Sequence, residues 1–187
     1  MEQIEERLLE GALDVYRAKG AKFTMDDLAA TLSMSKKTIY TIFPDKKTLL
    51  LNMVDYTFDC IKQGKEKALK KPHLTVVDRF RAVLSVMPEK FAGLDFTQIY
   101  SMKDKYPECY ERIEKRLESD WELTIATLRE GISSGEFRPV NEVIFQMMYE
   151  SATERFLNGS ELADNGIRYV DALNEMVDIL IDGIRVQ

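Results

Sequence analysis

Lys36, Lys37, Thr38 and Thr41 lie on one side of a short run, Ser35 to Phe43, whose apolar members Ile39 and Phe43 stand four residues apart and share the other side. The outward side is basic and hydroxylic and carries no carboxylate. Lysine donates to phosphate oxygens and base edges, and threonine adds a hydroxyl and a methyl that can meet a thymine methyl. Tyr40, and Lys46 at the start of the next helix, are spaced to hold backbone phosphate, Lys46 with help from the exposed amides of a helix N-terminus. The chemistry these residues suit is recognition of a polyanionic duplex.

Covalent chemistry has little to work with. The only histidine, His73, follows Pro72 in an expected loop, and the two cysteines, Cys60 and Cys109, are far apart with no CxxC spacing. Neither a metal site, a cofactor nor a catalytic constellation is expected, and the thiols read as inert and reduced. The 187 residues carry a net charge of −6, which opposes nucleic-acid binding unless basic groups are concentrated locally. They are: residues 1–71 sum to +2 and the remainder to −8. The acidic start, Met1 to Glu6, and the shortness of every uncharged stretch predict a soluble cytoplasmic protein with no membrane partner.

The elements that must position the basic face are helices throughout, since no run of two-residue alternation persists. Ile4, Leu8, Ala12 and Val15 make a stripe over residues 2–19, which Gly20 stops. Thr24, with Asp26 and Asp27 behind it, opens a second helix ending near Leu32; Ser33-Met34-Ser35 turns the chain, Ser35 opens the third helix and Pro44 closes it. Two capped helices of about eight residues joined by a tight turn have helix-turn-helix spacing. Asp45 opens a long helix to about Lys71, and Leu74 to Met87 forms another. Beyond Pro107, Tyr110, Ile113, Leu117, Trp121, Ile125, Leu128 and Ile132 recur at threes and fours, predicting one unbroken helix with Trp121 midway. The last two helices each carry two apolar faces, more than a small monomer can cover, and so predict a homodimer through them.

The run TMDDLAATLSMSKKTIYTIFPDKKTLLL, residues 24–51, resembles the helix-turn-helix of the TetR family of bacterial transcriptional regulators. The resemblance extends back over RLLEGALDVYRAKG and forward to the LREGISSGEFRP turn. It implies an all-α fold of about nine helices, divided into a three-helix DNA-binding domain over residues 1–46 and a ligand-binding and dimerisation domain over residues 47–187. It implies further that Lys36 and Thr38 face bases, that Lys37 and Thr41 lie at the groove, and that Tyr40 and Lys46 hold phosphates. Ser33 replaces a glycine frequent in the family's turn, and Ile42 stands where a polar or aromatic DNA contact is common.

Family members are usually homodimeric repressors released from a palindromic double-stranded operator by a small-molecule effector. A methionine- and aromatic-rich set, Met87, Phe91, Phe96, Tyr100, Trp121, Ile125, Met148 and Tyr149, is the candidate lining for a largely apolar or aromatic ligand, with cations admitted by the ring faces. The alternative from the same residues is a DNA-binding or protein-interaction module that responds to no ligand.

Overall fold

Helix α1, Glu2–Lys19, buries the stripe Leu8, Ala12 and Val15 and ends where Gly20 takes a positive φ of +59°. It belongs to a computed structural model that describes residues 2–91 and 102–186. The helices that follow are α2 (Met25–Leu32), α3 (Lys36–Ile42), α4 (Lys46–Leu69), α5 (Val76–Ser85), α6 (Met102–Lys105), α7 (Pro107–Leu117), α8 (Glu122–Ser133), α9 (Glu142–Asn158), α10 (Glu161–Asp164) and α11 (Tyr169–Ile184). The all-α expectation holds, and nine of these helices among the described residues are seven residues or longer.

Local chemistry sets the boundaries of the first elements. Thr24 and Asp27 form a reciprocal capping box at the start of α2: the Thr24 hydroxyl accepts from the Asp27 N–H at 3.2 Å, and the Asp27 carboxylate accepts from the Thr24 N–H at 2.8 Å. A hydrogen bond from Lys19 first, and those from Thr24 second, hold the Asp27 carboxyl at about 2. Ser33 then takes the left-handed conformation, φ +51°, that ends α2 and aims the chain into α3. Ser35 caps α3 by accepting from the Thr38 N–H at 3.1 Å, and Asp45 caps α4 by accepting from the Thr48 N–H at 2.7 Å.

Two buried clusters result. The first joins α1, α2, α3 and the front of α4 through Leu8, Phe23, Leu28, Ile39, Phe43, Leu49 and Met53, and it runs on into the body through Phe91, Cys109, Ile113 and Leu157. The core therefore passes position 46 without a break. The second joins α5, α8, α9 and α11 around Phe80, whose ring lies 5.2 Å from Phe137 and 5.4 Å from Phe145. Helix α4 spans both ends, about 36 Å long at 1.5 Å per residue. It runs parallel to α7, and ion pairs stitch the two in register: Lys47 to Glu108 at 3.1 Å, Asp55 to Arg112 at 2.6 Å, Asp59 to Arg116 at 2.7 Å, and Lys62 to Asp120, just beyond α7, at 2.6 Å.

The single long helix expected beyond Pro107 is two helices. It breaks over residues 118–121, where Asp120 takes φ +60° and Trp121 becomes the residue before α8. The apolar recurrence survives the break because Leu117, Trp121 and Ile125 keep four-residue spacing across it. A long-range contact holds the break, since Lys62 of α4 donates to the Asp120 carboxylate at 2.6 Å, and Arg116 adds a local one at 3.4 Å. Ser119 and Asp120 offer little helix propensity against that pull.

The LREGISSGEFRP segment closes the second cluster. Gly135 turns with φ +79°, and Phe137 folds back so closely over Gly131 that a Cβ there would stand 2.1 Å from its ring. The Arg138 N–H donates to the Ile184 carbonyl at 2.8 Å and the Val186 N–H to the Glu136 carbonyl at 3.0 Å, tying the turn to the end of α11.

Two outcomes follow for stability, each read by chemical denaturation. Ser33→Gly removes the side-chain penalty of the left-handed position and is expected to stabilise the protein by about 1 kcal/mol. Gly131→Ala drives a methyl into Phe137 and is expected to destabilise it by about 1–3 kcal/mol despite alanine's better helix propensity.

Candidate nucleic-acid interface and ligand cavity

The outward face of α3 matches its sequence pattern. Ile39 and Phe43 are buried, Ile42 is half-buried against the first cluster, and Lys36, Lys37, Thr38, Tyr40 and Thr41 are exposed. Packing accounts for Ile42, which sits on the core side of the helix where a DNA contact is common in the family. Hydrogen bonds organise the hydroxyls in advance: Thr38 Oγ1 lies 2.8 Å from Ser35 Oγ, and Thr41 Oγ1 donates to the Lys37 carbonyl at 2.8 Å. Lys36 pairs with Asp26 at the start of α2, an exposed contact of the kind worth little in water.

Lys46 departs from its expected role. Its ammonium turns inward and donates to the carbonyl oxygens of Ala21, at 2.7 Å, and of Phe23, with the Phe23 ring centre 4.2 Å away. The short 3-10 turn Gly20–Lys22 that follows α1 leaves these carbonyls without helical partners, and a cation is the natural cap for such an end. Burial first, and repulsion from Lys105 second, lower the Lys46 pKa. The phosphate contact expected of Lys46 thus gives way to an internal contact between the end of α1 and the start of α4.

A second site lies between the far half of α4, the end of α5 and the break at 118–121. There a cavity of about 90 Å³ is lined by Phe58, Ile61, Lys62 and Lys65 of α4, Val83, Leu84, Val86 and Met87 at the end of α5, Arg116, Leu117, Ser119, Asp120 and Trp121 at the break, and Tyr149, Thr153, Tyr169 and Leu173 behind. The Trp121 and Tyr149 rings meet edge to face at 5.3 Å. Most polar groups of the wall are spent internally. Tyr149 donates to the Leu84 carbonyl at 2.6 Å, Trp121 Nε1 to the Leu117 carbonyl at 3.2 Å, and the Thr153 hydroxyl to the Tyr149 carbonyl at 2.9 Å. Burial pushes the Tyr149 hydroxyl above its ordinary range and Tyr169 up to about 12, so both stay protonated.

Of the residues expected to line a pocket, Met87, Trp121 and Tyr149 meet at this cavity. Phe91 does not: it is fully buried in the first cluster, beside Lys90, whose carbonyl accepts from Arg17 of α1 at 2.8 Å. Ile125 faces an open groove on the other side of Trp121, shared with Arg129, Glu142 and Val143. Met148 is 54% exposed on the outer face of α9. Phe96 and Tyr100 lie outside the described residues. The described members separate because methionine and aromatic residues at helical spacing serve cores and outer faces as readily as cavities.

The residues missed are charged. Phe58, Ile61 and Lys65 follow one another at three and four on α4, so a lysine on the inward stripe was the available signal for Lys65. Arg116 and Asp120 had none, since their position depends on the break. Cys109 is buried and its thiol is pushed up to about 11 by that burial, which keeps it unreactive. Among the described residues no group of three or more His, Cys, Asp or Glu side chains could hold a metal ion, and no helix is long and apolar enough to cross a membrane.

The family description for bacterial regulatory proteins of the tetR family matches residues 8–53, which span most of α1, all of α2 and α3, and the start of α4. Over nearly its whole length the chain is similar to YvaF of Bacillus subtilis (strain 168), an uncharacterised HTH-type transcriptional regulator, with 23% identity over 181 residues covering 97% of this chain and 95% of YvaF. Its fold is shared with a TetR transcription regulator from Haloarcula marismortui, at a TM-score of 0.75 and 15% identity with all of both chains covered. A structure of the transcriptional regulator FadR from Bacillus subtilis in complex with stearoyl-CoA matches at a TM-score of 0.64 and 18% identity over 96% of this chain and 99% of that one. The capped helix-turn-helix and its basic outward face lie within the stretch that matches the tetR family description, and the chain as a whole has the fold of solved TetR-family regulators.

Proposed function

We propose that the protein is a homodimeric repressor that reads a palindromic operator through α3 and leaves it when a small molecule occupies the cavity beside Trp121. Residues 1–46 serve as the reading unit and residues 47–187 as the ligand-binding and dimerisation unit. The observation that carries the reading is α4 itself, whose front half packs against α3 while its far half walls the cavity, so one helix contacts both sites. A ligand shifts such an equilibrium only by binding one arrangement better than the other. That FadR, which shares the fold, was solved in complex with stearoyl-CoA supports a small-molecule site within this architecture.

Lys36, Lys37, Thr38, Tyr40 and Thr41 carry the DNA contacts in this reading, and Lys46 supports them from inside. Phosphate replaces Asp26 as the partner of Lys36 at little cost, because the pair it displaces is exposed. The dimer forms through the outer faces of α9 and α11, where Val143 is 65%, Met147 58% and Ile179 66% exposed. Gly183 faces open space on the same helix as Ile179, leaving room for a second helix to approach.

Two tests follow. Lys37→Ala is expected to weaken binding to all sequences and reduce the log-log salt slope by about 1 per half-site, whereas Thr38→Ala alters base preference. Asp26→Asn strengthens binding, and Lys46→Met lowers the thermal midpoint with the salt slope unchanged; equal salt slopes for Lys37→Ala and wild type would remove α3 from the interface. In sedimentation, Ile179→Glu is expected to give a folded monomer, because the residue is exposed within one subunit and would bury an unpaired carboxylate in a dimer. That variant should lose the footprint of paired half-sites about 34–36 Å apart. A dimer undisturbed by both Ile179→Glu and Met147→Glu would relocate the interface.

A further inference from the structure

The cavity beside Trp121 is apolar in its body but not in its charges. One carboxylate lines it, Asp120, and it is already paired, with Lys62 at 2.6 Å and with Arg116 at 3.4 Å. Lys65 is left over. Among the described residues no carboxylate stands within ion-pair distance of it, and Asp120 and Glu122 act on it only from farther away. Its ammonium has one long hydrogen bond, 3.5 Å to the hydroxyl of Thr124, a residue only 1% exposed. Burial lowers its pKa despite those two carboxylates.

Arg116 adds a second unspent donor, since its Nε is buried without a hydrogen-bond partner although its terminal nitrogens are paired. The tyrosine, tryptophan and threonine donors described above are already satisfied, so the vacant capacity of the wall is cationic and donating. The ring face that a cationic ligand would seek is approached by the protein's own lysine, with Lys65 Nζ 5.9 Å from the Trp121 ring centre. A cation entering here would meet Lys65 and Arg116, and the one carboxylate of the wall, Asp120, is already paired with Lys62 and Arg116. An acceptor with negative charge would instead complete both groups.

Resting on the reading that this cavity holds the effector, we propose that the effector is a small amphipathic carboxylate, its oxygens seated on Lys65 Nζ and Arg116 Nε and its apolar body against Trp121, Tyr149 and Leu84. The cavity volume of about 90 Å³ suits a body of one ring or a short alkyl chain. This replaces the expectation that a cation would be admitted.

Trp121 is the only tryptophan, so quenching of its fluorescence reports on the site. The probes are benzoate, phenylacetate and hexanoate, each against its uncharged amide, with benzylamine as the cation. At least one carboxylate is expected to quench saturably and bind about tenfold or more tighter than its amide, and Lys65→Met is expected to erase that preference while Lys65→Arg keeps it. Equal binding of acid and amide, tighter binding of benzylamine, no saturable quenching by any carboxylate, or an acid preference that survives Lys65→Met overturns the proposal. Should Lys65→Met fail to fold, the wild-type comparison of acid with amide decides. Operator affinity measured in the same samples separates this from the parent reading. Lys65-dependent carboxylate binding that leaves the operator bound keeps the site and removes ligand release, whereas release by the amides or benzylamine alone keeps ligand release and removes the carboxylate site.

Discussion

One helix has to satisfy two cores. The front of α4 contributes Leu49, Leu50, Met53 and Val54 to the cluster that holds α1 to α3, while Phe58, Ile61, Lys62 and Lys65 farther along wall the cavity. Its pitch relative to the head is held where Lys46 bonds to the carbonyls of Ala21 and Phe23, and relative to the body by the register of ion pairs with α7. Close-packed interiors do not deform continuously, so an element fixed at both ends passes displacement along rather than absorbing it.

The break between α7 and α8 is the price of that register. Asp120 is drawn to Lys62 and Arg116, the backbone there goes left-handed, and the helix restarts with Trp121 directed at Tyr149. Had the helix continued, Trp121 would be one more residue on an amphipathic stripe. Interrupted, it becomes part of a cavity wall that also contains Lys65, which has no carboxylate partner among the described residues. The hydrogen bond from Lys62, opposed by burial, holds the Asp120 carboxyl below its usual range, so the ion pair that secures the break persists through neutral pH.

Outside the two cores, the molecule presents surfaces of opposite character. The face of α3 is basic and hydroxylic, whereas the outer faces of α9 and α11 expose Val143, Ile144, Met147, Met148 and Ile179. Exposed apolar residues gathered on neighbouring helices call for a cover, as single scattered ones do not. The net charge of −6 is compatible with DNA binding because the basic residues of α3 are concentrated at one end of the chain.

Local chemistry by itself determined the head: side-chain caps at Thr24, Ser35 and Asp45, the turn at Ser33 and the inward spacing of Ile39 and Phe43 all act within four residues, so the order of the chain is enough to read them. The all-helical class, the resemblance of the head to the tetR family and the exposed face of α3 were legible for the same reason. Tertiary structure decided where Lys46 points, where the chain breaks after Leu117, and which aromatics meet: Trp121 and Tyr149 at the cavity, Phe91 in the head's core, Met148 outside. Periodicity assigns a residue to a helix face but not to the neighbour that face will meet. The contacts that settled these positions, Lys46 with Ala21 and Lys62 with Asp120, join residues 25 and 58 apart, and their geometry exists only once the helices have packed.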